Sequence, residues 1–105
     1  MSVTINVSDN TAEQLESLFG RNAENLDQKI GHLLVAEYRR RLARYGLTNR
    51  QFSEKYEMTF EEFERQEVVK QRGYTWEVES DAMNWETAVD GIETISRRLR
   101  DLIDG

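Results

Sequence analysis

The sequence predicts a mainly α-helical protein: one short N-terminal strand, two helices behind it, and a helical C-terminal extension. Three observations carry this reading. Apolar residues recur three and four apart over most of the chain. Strict alternation of apolar and polar residues marks the opening stretch. There is no proline to break a helix, and 32% of the residues are charged, which suits helices with solvated faces.

The strand is Val3 to Val7, where Val3, Ile5 and Val7 share one face and Thr4 and Asn6 the other. Ser8, Asp9 and Asn10 then offer three N-caps, and Asn10 with Glu13 is spaced much like a capping box. Ala12, Leu15, Leu18 and Phe19 follow at helical spacing up to a stop at Gly20. Asn25 caps a second helix with Asp27 in its first turn. Its stripe runs through Ile30, Leu33, Leu34, Tyr38 and Leu42, and its end is set at Gly46. The arginines Arg39, Arg40, Arg41 and Arg44 then complement the macrodipole at its C-terminus.

Beyond Gly46, Thr48 caps a short helix bearing Phe52 and Tyr56. Thr59 with Glu62 forms a capping box for a helix bearing Phe60, Phe63, Val68 and Val69, stopped by Gly73. Tyr74, Trp76 and Val78 alternate, which fits a strand or the start of a helix. From Val78 to Leu102 a long stripe through Ala82, Trp85, Val89, Ile92 and Leu99 predicts a helix that lies along another helix or in a groove.

Charge divides the chain into residues 1–46 and 47–105. The first part is neutral, with six basic and six acidic residues. The second has eight basic against fourteen acidic, which accounts for the whole net charge of −6. The first part reads as a dimerisation module and the second as an acidic, partner-binding extension suited to a basic protein surface. There is no cysteine, no run of apolar residues long enough to cross a bilayer and no leader-like N-terminus, so a cytoplasmic protein is expected.

A single strand leaves unpaired N–H and C=O groups along both edges, and residues 1–46 are too few for a core of their own. Two copies meet both needs, which predicts a homodimer with antiparallel intersubunit strands. The run Ile5-Asn6-Val7-Ser8-Asp9-Asn10, followed by Ala12, Leu15 and Leu18, resembles the ribbon-helix-helix family of bacterial repressors and antitoxins. The resemblance covers Ser2 to Tyr45. It implies a paired ribbon in the major groove of operator DNA, with Ser2, Thr4 and Asn6 facing the bases. It also implies Asn25 at a phosphate-binding helix start, with Lys29 adding positive charge nearby. The strand itself carries no Arg or Lys, and Asp27 stands at the phosphate-facing turn.

Ribbon-helix-helix proteins with a helical extension are commonly antitoxins, and residues 56–64 and 76–85 are similar to antitoxin-like small proteins. The resemblance implies that the extension occludes a toxin while the dimer represses its own operon. Phe60, Phe63, Trp76, Met83 and Trp85 are the candidate anchors, interleaved with carboxylates that complement the basic surface of an RNA-cleaving toxin. The same aromatics can instead form the protein's own core. A DNA-binding repressor without a toxin and a purely structural helical homodimer are the other readings. Catalysis finds little support: His32 is the only histidine, no Glu-x-x-His pattern or glycine-rich phosphate loop occurs, and neither metal nor cofactor is expected.

Overall fold

The computed structural model describes residues 2–20 and 26–105, so Arg21 and Asn25, the cap expected from sequence, lie outside the described residues. Among the described residues five helices follow one another: α1 (Asp9–Phe19), α2 (Leu26–Tyr56), α3 (Phe60–Arg65), α4 (Val68–Gln71) and α5 (Trp76–Asp104). The chain divides into two compact units, Met1–Leu34 and Val35–Gly105.

Among the described residues there is no strand, and this overturns the ribbon-helix-helix fold. Residues 2–8, ahead of α1, carry no regular secondary structure, and Val3 and Ile5 are 80% and 69% exposed. The alternation at Val3, Ile5 and Val7 is real, but a strand needs a partner for its edges, and among the described residues no second strand pairs with it. The mainly α class stands. Tyr74 to Val78 likewise forms no strand, because Thr75 caps α5 by accepting the Val78 N–H at 3.4 Å.

In the first unit, Ser8 caps α1, its Oγ accepting from the Thr11 N–H at 3.1 Å. Gly20 closes the helix at φ 85°, a conformation that favours glycine. No residue of α1 is buried. Among its described residues the Phe19 ring stacks on His32 at 6.4 Å, and the Lys29 ammonium donates to the Gly20 carbonyl at 2.9 Å.

The second unit contains the main core. Its frame is the second half of α2 laid antiparallel to α5: Lys55 meets Glu77 and Asp81, Asn49 meets Trp85, and Tyr45 meets Gly91. Positions thus rise along one helix as they fall along the other. The final stripe is consequently turned inward, with Val78, Trp85, Ala88 and Ile95 buried and Ala82, Val89, Ile92, Leu99 and Leu102 half-buried. At the closed end, α3 and α4 lay Phe63 and Val68 onto Tyr56 and Trp85.

α2 continues through Gly46, where a stop is expected from sequence. A glycine inside a helix costs about 1 kcal/mol, and packing along α5 on both sides of it outweighs that. Thr48 therefore caps nothing; its hydroxyl donates back to the Arg44 carbonyl at 3.2 Å. Arg39, Arg40, Arg41 and Arg44 lie mid-helix, so the macrodipole does not account for them. Glu37 instead takes Arg40 and Arg41, at 2.7 and 2.9 Å.

α2 ends at Glu57, at φ 53°, where the Met58 N–H reaches the Ser53 carbonyl at 3.2 Å and the Ser53 hydroxyl donates to the Met58 carbonyl at 2.9 Å. Glu67 (φ 51°) and Tyr74 (φ 57°) are left-handed as well. Each such non-glycine residue costs roughly 1–2 kcal/mol.

Two glycines give opposite expectations. A Cβ on Gly46 would meet nothing within 4 Å, whereas one on Gly91 would lie 2.6 Å from the Tyr45 ring. Gly46→Ala should raise stability by up to about 1 kcal/mol through helix propensity. Gly91→Ala should lower it by about 1–3 kcal/mol despite the same propensity gain. Urea denaturation of both variants checks the pair, and a stabilised Gly91→Ala would contradict the α2–α5 register.

Candidate functional site

The aromatic residues of the second unit fall into two groups. Trp85 is fully buried and Phe63 is 2% exposed, and the two rings lie 5.0 Å apart. Phe52, Tyr56 and Phe60 complete a cage around the Trp85 indole, with centroids at 5.8, 5.9 and 5.3 Å. Its N–H donates to Asn49 Oδ1 at 2.7 Å, so the one polar atom of the indole is satisfied inside the core. Three of the five candidate anchors (Phe60, Phe63 and Trp85) thus belong to the protein's own packing.

The other two point away from it. Trp76 is 82% and Met83 70% exposed. At about 100° per residue, a spacing of seven places Trp76 and Met83 on one face of α5, and a spacing of nine places Trp76 opposite Trp85. That spacing is visible in the sequence once a single helix is known to run through both tryptophans. The ambiguity at residues 74–78 concealed it. Ser80 and Asn84 lie beside Trp76 and Met83 in a shallow depression of about 200 Å³.

Carboxylates border this face. Glu79, Glu86 and Asp90 follow at steps of seven and four along the adjacent line of α5, all exposed and none in an ion pair. Glu86 and Asp90 stand four apart, a like-charge pair that destabilises the free helix by a few tenths of a kcal/mol.

A second cluster joins the start of α5 to the end of α2. Lys55 donates to Glu77 at 2.9 Å and to Asp81 at 2.6 Å, and the Tyr56 hydroxyl donates to the same Asp81 oxygen at 2.6 Å. The bonds to Asp81 and Glu77 hold the Lys55 ammonium above its ordinary range. Burial and the bond to Asp81 push the Tyr56 phenol up to about 12. Burial opposes ionisation of Asp81, but the bonds from Lys55 and Tyr56 outweigh it and keep the carboxyl below its usual range. The cluster locks α2 to α5 and is structural.

The candidate DNA contacts are not brought together as a reading surface. Ser2, Thr4 and Asn6 are exposed on a segment without a strand, and Asn25 lies outside the described residues. Lys29 is buried beneath the end of α1, directed at the Gly20 carbonyl. Among the described residues no group of three or more His, Cys, Asp or Glu is arranged to hold a metal, and no helix is long and apolar enough to cross a membrane. No family model, curated protein or solved structure matches the chain.

The locking cluster gives stability a pH dependence of known sign. Asp81 and Glu37 have lowered carboxyls, Glu37 at about 2 through its bonds from Arg40 and Arg41, so their contribution is present above the usual carboxylate range and lost as pH falls. Tyr56 is raised from 10.0 to about 12, so its contribution is present below pH 10 and lost across that interval as pH rises. The thermal midpoint should therefore stay level near neutrality, fall below about pH 4, and fall again from about 10 to 12. Asp81→Asn should make the acid limb shallower, with Glu37 supplying what remains. An acid limb unchanged in Asp81→Asn would show that the Lys55–Asp81–Tyr56 cluster does not persist in solution.

Proposed function

We propose that the chain is an antitoxin: a non-catalytic cytoplasmic protein that neutralises a basic partner protein by holding it on the outer face of α5. The observation that carries this reading is the exposure of Trp76 and Met83 on the face opposite the core. A chain that buries Trp85 completely gains nothing for its own fold from leaving a second tryptophan in water. Paired large apolar side chains at the surface mark interaction sites, and tryptophan is the residue type most enriched among binding hot spots.

The bordering charge supports a basic partner. An enzyme that cleaves RNA must attract phosphate, so its working surface is cationic, and Glu79, Glu86 and Asp90 complement such a surface. Contact with a cation would also relieve the repulsion between Glu86 and Asp90. The anchor provides affinity and the carboxylates provide orientation and speed of encounter.

The test is co-expression with the product of the neighbouring reading frame, followed by growth assay and titration calorimetry of the purified pair. A complex should form and growth inhibition by the partner should be relieved. Trp76→Ala should weaken the complex by at least about 30-fold, in line with a hot-spot loss near 2 kcal/mol, with the thermal midpoint of the free chain unchanged. Absence of a complex, or an undiminished affinity in Trp76→Ala, would reject the reading.

A further inference from the structure

Between α3, α4 and α5 lies a groove of about 280 Å³. Its floor is apolar, formed by Phe60, Val69 and Ala82 over the buried Phe63 and Val68. Its rim carries Glu64, Glu67 and Glu86, together with Lys70 and the Tyr74 ring. The three rim carboxylates are exposed, and none is in an ion pair.

Two rim residues are also the two that bracket α4 in left-handed backbone conformation, Glu67 at φ 51° and Tyr74 at φ 57°. Neither is glycine, the residue that adopts this conformation without strain. Glu67 stands at the N-cap of α4 yet makes no side-chain cap bond, so capping does not explain its identity. Tyr74 is exposed, so core packing does not explain its ring. Their left-handed backbones close helices, as that of Glu57 does: the Glu67 N–H reaches the Glu64 carbonyl at the end of α3, and the Tyr74 N–H reaches the Val69 carbonyl at the end of α4. The side chains at these two positions are left exposed on the rim of the groove.

We propose that this groove binds a basic amphipathic segment of a partner protein, an apolar side chain resting on Phe60, Val69 and Ala82 while lysine or arginine engages Glu64, Glu67 and Glu86. Glu67 and Tyr74 contribute their exposed side chains to the contact. The choice of occupant follows from the rim: three carboxylates outnumber the single Lys70, so a cation is attracted and an acidic segment repelled. The proposal rests on the reading that the chain holds a basic protein, and adds a second site to that of Trp76 and Met83.

The probe is a synthetic helix of roughly 18 residues with leucine on one face and lysine on the other, compared with a leucine–glutamate counterpart. It is titrated into the isotopically labelled full chain at low salt, read by amide chemical shifts. The lysine peptide should shift the amides of Glu64, Glu67, Val69 and Glu86, and the glutamate peptide should not.

Glu67→Gly is the decisive variant. Relief of strain should raise its thermal midpoint by roughly 4 °C, while loss of the carboxylate weakens the lysine peptide about 5-fold to 10-fold. Glu67→Lys keeps the strain and reverses the charge, so it should abolish binding with the midpoint little changed. A lysine peptide that does not bind would overturn the proposal. So would a stabilised Glu67→Gly that binds as well as the original chain. Shifts confined to the surroundings of Trp76 and Met83, undiminished by Glu67→Lys, would also remove the groove while leaving the outer face of α5 as the binding surface.

Discussion

The second unit depends on the burial of one indole. Trp85 is enclosed by rings from α2 and α3, and its only polar atom is bonded to Asn49 on α2. A buried tryptophan contributes several kcal/mol through its area, and an N–H left unpaired there would cancel about 1–3 kcal/mol of that. Both conditions are met with α2 and α5 antiparallel in the observed register. That register in turn places Lys55 beside Asp81 and Tyr45 against Gly91. α3 is only six residues long and cannot stand alone; Phe60 and Phe63 hold it to the indole.

The functional reading follows from what this core consumes. It takes in Phe52, Tyr56, Phe60, Phe63 and Trp85, leaving Trp76, Met83 and Tyr74 outside, among carboxylates. The same short connection that carries the chain from α3 to α5 also carries two of the left-handed residues, Glu67 and Tyr74. The buried side chains gather along the α2–α5 frame and under α3 and α4, and on the surface beside them apolar area, negative charge and left-handed residues meet. A partner that is apolar and basic would complement the first two.

Much of this was legible in the residues, and the failures have physical causes. The Thr59 cap and the Gly73 stop are local signals and appear where the residues put them, but the single helix expected between them is broken at Gln66 and the left-handed Glu67 into α3 and α4. The final stripe was legible as a helix, though not as one that its own α2 would cover. The strand at Val3 to Val7 is a local pattern without the pairing partner a strand requires. Gly46 is a local stop signal overruled by packing on either side of it. The arginine run has two local explanations, helix termination and surface charge, and only the length of α2 removes the first. Trp76 and Trp85 are alike in composition and neighbourhood. Their opposite roles become visible only when an uninterrupted helix turns a spacing of nine into half a revolution. The left-handed residues Glu67 and Tyr74 have no signature at all, since glycine would have been the residue to expect.

The central claim is that the two tryptophans occupy opposite environments, one building the core and one left for a partner. It is tested most directly by following the two indole N–H resonances after transfer of the labelled protein into deuterated water. Trp85 should exchange only on opening of the core, many orders of magnitude slower than Trp76, which should exchange as fast as a free indole. If both vanish together within the dead time, the Trp85–Asn49 core does not exist as described. If both are protected, Trp76 is not the free anchor on which the proposed function depends.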